Sequence, residues 1–153
     1  MRSIITIAFF CLAVFSCKVD VKTEPDKNAE KLIGTWKLVT ATLKENGRET
    51  VTDYTGKNSF IKIINKTHFA FLQHDAGKDK DSTGAFSAGG GSYSLKDSTY
   101  TEKLEYCSAR EWEGHDFAFT ITITGDTLVQ HGVEKLEAVG IDRVNTEKYV
   151  RMK

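Results

Sequence analysis

Hydrophobic and polar side chains alternate along most of this chain. The clearest run is 116–124, where Phe117, Phe119, Ile121 and Ile123 alternate with Ala118, Thr120, Thr122 and Thr124. A period of two puts the first set on one face of a strand and the threonines on the other. Residues 98–107 repeat the pattern, with Tyr100, Glu102, Leu104 and Tyr106 opposite Thr101, Lys103, Glu105 and Cys107. In 67–73, Phe69 and Phe71 share a face opposite His68 and Ala70. In 58–64, Ile61 and Ile63 point one way and Phe60 and Lys62 the other. The charge on Lys62 predicts that the two isoleucines face the core.

Punctuation between these runs sets the order of elements. Residues 26–33 read as one or two helical turns, with Asp26 or Asn28 as N-cap and Gly34 as the stop. A first strand covers 35–44, with Trp36 and Leu38 on one face. Asn46-Gly47 is a hairpin signal, and 48–54 pairs back weakly. Asn65-Lys66, Lys96-Asp97 and Gly125-Asp126 are further tight turns. The polar stretch 74–88 supplies no core and suits a loop at an open end. Gly89-Gly90-Gly91 lacks the Gly-Lys-Ser/Thr ending and following helix of a phosphate loop. It reads as a sharply bent strand start, where glycines relieve crowding. Residues 127–132 return as a strand with Leu128 and Gln130 on one face, 133–144 is a short helix or a long connection, and 145–153 is a closing strand. About eight strands joined by short turns leave two edges unless the sheet closes. The expected fold is all-β: an up-and-down antiparallel barrel with a short N-terminal helix. Such a barrel has room for side chains and one small ligand.

The amino terminus carries an address. Arg2 precedes an apolar run, Ile4 to Phe15, of signal-peptide length and too short to span a membrane as a helix. The run ends Val14-Phe15-Ser16-Cys17, which resembles the lipobox of bacterial lipoproteins. That resemblance implies a signal peptide over 1–16 and lipidation of Cys17. The alternative is an ordinary secretory signal cleaved nearby. Residues 17–29 read as a flexible tether holding the chain's only proline, Pro25, and 30–153 as the folded domain.

Composition narrows the function classes. Basic and acidic residues balance at 21 each, and losing Arg2 with the signal would leave 20 against 21. No basic run points to nucleic acid. Cys11 would leave with the signal and Cys17 would carry lipid, so Cys107 stays as a packed thiol with no disulfide partner. His68, His74, His115 and His131 lack the spacing of a metal site, and no cofactor is expected.

Three features together resemble a lipocalin-type barrel: Gly34-x-Trp36 opening the first strand, the meander of alternating strands, and Arg151 in the last strand. The resemblance implies that Arg151 packs over Trp36 and closes the barrel base. The chain is more specifically similar to a bacterial lipocalin-like family of small secreted or membrane-anchored lipoproteins. Ile61-Lys62-Ile63-Ile64, Thr67-His68-Phe69-Ala70-Phe71, Gly89-Gly90-Gly91-Ser92-Tyr93 and Tyr100-Thr101-Glu102 carry that similarity. The disulfide of typical lipocalins is missing, and so is their Thr-Asp-Tyr motif near the middle of the chain.

If Phe117, Phe119 and Ile121 face in, Tyr100, Glu102, Leu104 and Tyr106 face in with them. Glu102 then sits in a largely apolar wall and must be paired, hydrogen-bonded or neutral. It either anchors a polar or cationic group of a ligand, helped by Tyr93, Tyr100 and Gln130, or serves structure alone through an internal pair with Arg151 or a lysine or through hydrogen bonds to the tyrosines. Trp36, Phe69, Phe71, Tyr106, Phe117 and Phe119 complete the candidate ligand-binding set. The expected function is that of a lipid-anchored protein of the bacterial cell envelope, with the outer membrane favoured, binding a small hydrophobic or amphipathic ligand. A filled barrel serving as a structural or protein-interaction module is the alternative. No catalytic residue is assigned, because no second reactive group accompanies Glu102.

Overall fold

The computed structural model describes residues 27–75 and 86–153. The expected signal peptide over 1–16, Cys17 and most of the expected tether lie outside the described residues, as does 76–85 of the polar stretch. A short helix α1 (Lys27–Leu32) leads into nine strands: β1 (Gly34–Glu45), β2 (Arg48–Asp53), β3 (Asn58–Ile64), β4 (His68–Asp75), β5 (Phe86–Lys96), β6 (Thr99–Cys107), β7 (His115–Thr124), β8 (Thr127–Leu136) and β9 (Ile141–Arg151). Eight of them close into an antiparallel barrel in the order β1-β3-β4-β5-β6-β7-β8-β9, with β9 back on β1. β2 is the extra strand. It pairs with the far half of β1, where β3 no longer runs beside it.

The closing pair runs from Trp36 opposite Arg151 to Lys44 opposite Val144. The last strand is therefore longer than its sequence pattern indicated. Residues 133–144 form neither a separate helix nor a long connection. They are the upper ends of β8 and β9, joined by a 3-10 turn at Glu137–Val139 with Gly140 in the left-handed region.

The lower half of the barrel is solid. Trp36, Leu38, Ile64, Phe69, Tyr100, Ile121, Leu128 and Tyr149 are all buried there in one cluster. The end of α1 seals the base. A helix leaves its last carbonyls without internal partners. Here Trp36 Nε1 donates to Leu32 O at 2.8 Å, Arg151 Nη1 donates to Ile33 O at 2.8 Å, and Arg151 Nη2 donates to Lys31 O. The guanidinium also lies 4.0 Å from the centre of the Trp36 ring. One cation thus caps the helix and covers the indole face.

Gly34 makes this approach possible. Its φ is +148°, and a Cβ there would run into Arg151 Nη1. Gly34→Ala is expected to cost about 1–3 kcal/mol through backbone strain and displacement of the guanidinium. Urea unfolding measures it. A variant as stable as the parent would mean that Arg151 does not hold the base.

Two bulges reset which side chains point inward. On β1, Val39 is the extra residue, so the inward set passes from Leu38 to Ala41 and Leu43. On β6, Glu105 is extra opposite Gly90 and Gly91, and Ser92 Oγ donates to its carboxylate at 2.7 Å. Gly91 is needed there, since a Cβ would fall onto Lys103 O. The alternation therefore breaks after Leu104, and Cys107 rather than Tyr106 faces the interior. Tyr106 is 69% exposed on the outer surface, which corrects its inward assignment.

Lys62 reverses another expectation. It points into the barrel at 3% exposure, with Phe60 and Ile64 in phase, while Ile63 lies outside at 42%. A buried ammonium needs a partner of opposite charge, and β6 supplies one across the interior in Glu102.

Candidate functional site: a polar-lined cavity in the upper barrel

Above the solid half the interior opens into a cavity of about 260 Å³. This is just below the usual range for ligand sites, enough for a small organic molecule. β3 and β7 stand four strands apart in the ring of eight, so their walls face each other. On one wall Phe60 and Phe71 stack at 5.6 Å and 10°, with Tyr54 edge-on to Phe60 at 6.1 Å. On the other, Trp112 from the 3-10 turn after β6 lies 5.5 Å from Phe117, beside Phe119. Ala41, Leu43, Leu104 and Cys107 add apolar surface.

The polar groups come mainly from four strands. Lys62 on β3 donates to Glu102 Oε1 on β6 at 2.7 Å and to Gln130 Oε1 on β8 at 3.0 Å. Its ammonium lies 5.7, 5.9 and 5.5 Å from the ring centres of Phe69, Tyr100 and Tyr149. Higher up, Glu134 on β8 accepts from Arg143 Nε at 2.6 Å and from Asn145 Nδ2 at 2.8 Å, both on β9. Arg143 also covers Trp112 at 5.3 Å. Glu147 on β9 faces Gln130 across the β8–β9 ladder and accepts from the Tyr149 hydroxyl at 2.8 Å.

Burial and mutual repulsion shape the protonation states. Burial raises the Glu147 carboxyl above its usual range, and Glu134 and Glu102 push it the same way, against opposing pulls from Lys62 and Tyr149. Burial and neighbouring carboxylates also push the Tyr149 and Tyr100 hydroxyls well above theirs. Among the described residues the Tyr100 hydroxyl is buried without a hydrogen-bond partner, and so is Asn145 Oδ1.

A carboxyl held higher in the folded chain than its unfolded value near 4.5 loses stability as pH rises from that value through the folded one. Glu147→Gln removes this loss. The variant is expected to melt a few degrees above the parent at neutral pH, with the gap closing as pH falls toward about 4. Thermal melts at both pH values decide it, and a variant that melts lower at neutral pH would contradict the assignment.

Of the residues expected at a ligand site, Phe71, Glu102, Phe117, Phe119 and Gln130 line the cavity. Phe69 and Tyr100 are packed beneath it, and Trp36 is the floor plug under Arg151. Tyr93 packs tilted against Tyr100 at 5.1 Å and its hydroxyl donates to Asn65 O at 2.7 Å, away from the cavity. Tyr106 is outside. Glu102 takes the internal pairing in its lysine form, and Arg151 plays no part in it.

Sequence reasoning missed Lys62, Trp112, Glu134, Arg143, Asn145 and Glu147. The signal for four of them was present: Gln130, Glu134 and Leu136 continue the period of two set by Leu128, and Arg143, Asn145, Glu147 and Tyr149 do the same on the closing strand.

Among the described residues no cluster of His, Cys, Asp and Glu is placed to hold a metal ion, and no helix is long and apolar enough to cross a membrane. No protein-family model matches the chain, and no curated protein matches it.

Proposed function

We propose that this chain is a lipid-anchored envelope protein of lipocalin-like type, binding a small, partly apolar ligand in the upper barrel. The cavity of about 260 Å³ between two aromatic walls carries the reading. An apolar ligand would cover those walls, and the buried polar groups on β8 and β9 would orient it. The anchor rests on Ser16-Cys17 after the apolar run. The reading assigns no reaction, since Glu102 is already satisfied by Lys62 and no second reactive group stands beside it.

Each half has its own test. Cells fed an alkyne fatty acid should label the chain, and Cys17→Ser should abolish the label; labelling that survives the substitution removes the anchor. For the cavity, saturation-transfer NMR with indole should show transfer to the full chain in detergent. Transfer should fall sharply in Ala41→Phe, which fills the cavity from β1. Equal transfer to both proteins would place the binding elsewhere.

A second reading, docking to another envelope protein, has one observation of its own. Ile63, Leu72, Phe86 and Tyr106 are exposed on the outer face of neighbouring strands β3 to β6. Tyr106→Lys with Phe86→Lys should then abolish capture of that protein and leave indole transfer intact. Capture that survives both substitutions removes this face.

A further inference from the structure

Among the described residues, the charges that line the cavity do not cancel. Glu102, Glu134 and Glu147 face Lys62 and Arg143, a net of −1 with all five ionised. Four of the five are matched: Lys62 with Glu102 at 2.7 Å, and Arg143 with Glu134 at 2.6 Å. Glu147 is the remainder. Among the described residues its only hydrogen bond is the one from the Tyr149 hydroxyl to Oε2, so Oε1 is without a partner.

A second acceptor lies on the same face of β9. Asn145, two residues away and only 6% exposed, spends its amide N–H on Glu134 and leaves Oδ1 unpaired. Alternate positions on a strand share a face about 7 Å apart, so Asn145 and Glu147 line the same stretch of the cavity wall. An unsatisfied buried acceptor such as Asn145 Oδ1 costs stability, and proteins keep such groups where function uses them.

We propose, building on the cavity-binding reading above, that the ligand is a small amine with an apolar body. Its ammonium sits at Glu147 and Asn145 Oδ1, and its body lies between the Phe60–Phe71 and Trp112–Phe117 walls. The ammonium supplies the donors that both acceptors lack and brings the cavity charge to zero. A carboxylate ligand would raise the surplus to −2 and find both cations already engaged. The raised Glu147 carboxyl fits the same picture, since burial outweighs the pull of Lys62 and makes ionisation costly.

Isothermal titration of the full chain in detergent tests this with three probes of one size: phenethylamine, 2-phenylethanol and phenylacetate. The amine should bind at least about ten-fold tighter than the alcohol, and phenylacetate weakest. In Glu147→Gln the amine's advantage should vanish, while thermal melting shows the variant folded and no less stable than the parent. Equal binding of amine and alcohol to the parent overturns the amine assignment and leaves the cavity-binding reading standing. So does tightest binding of phenylacetate, or a natural ligand without a basic nitrogen. No heat from any probe, together with a protein that carries no retained molecule, overturns both.

Discussion

Lys62→Met is expected to lose about 3–5 kcal/mol of unfolding free energy, and Lys62→Met with Glu102→Leu to regain most of it. The single change leaves Glu102 buried without its ion-pair partner Lys62 and strips Gln130 Oε1 of its donor. It also removes the cation that offsets burial at Glu147. The double change replaces two buried charges with apolar groups among Phe69, Tyr100 and Tyr149, which already surround the ammonium. A buried pair need not add net stability over a hydrophobic one, but an orphaned member always subtracts. Urea unfolding of the parent, both singles and the double gives the coupling energy. Additive effects would show that the two residues act independently.

The second large effect belongs to the base. Trp36→Ala is expected to cost about 3–5 kcal/mol, because the indole is fully buried and its removal leaves a cavity the strands cannot close. Arg151 would lose the face it covers, and Leu32 O its donor. Trp36→Phe separates the parts: it keeps much of the packing but not the hydrogen bond, and should cost about 1–2 kcal/mol. Arg151→Lys should also destabilise, since an ammonium cannot reach two carbonyls in a fork while stacking on a ring. None of these three base variants should alter ligand affinity in the surviving folded fraction, because Trp36 and Arg151 stand outside the cavity wall. An affinity change would extend the site below the cavity floor.

Much of the barrel was legible because its cues are local. Phe117 to Thr124 alternate without interruption, and the Asn46-Gly47 turn joins β1 and β2 as read. Closure followed from edges that had to be paired. The Gly34, Trp36 and Arg151 cluster came from resemblance, and the bonds to Lys31, Leu32 and Ile33 supply its physical cause.

The cavity's chemistry was less legible because it depends on contacts distant in sequence. Lys62 faces inward through a carboxylate 40 residues away, and nothing beside it foretells that pairing. Bulges at Val39 and Glu105 shift the parity of a strand midway, so a pattern correct at Leu104 fails at Tyr106. Glu134, Arg143, Asn145 and Glu147 sit where the chain was read as a connection or an undifferentiated closing strand. Polar residues on an inward face look like a solvated segment until the opposite strands are in place. The expectation of either a solid or an open barrel was also too coarse. The lower half is packed and the upper half is open, a division set by Trp36, Tyr100 and Tyr149 below the Lys62 level.

Native mass spectrometry of the full chain, purified gently from the cells that make it, tests cavity binding most directly. The protein should carry a retained small molecule, released on mild activation, and Ala41→Phe purified in parallel should carry none. A bare mass for the parent, or the same adduct on both proteins, would contradict a ligand in the upper barrel.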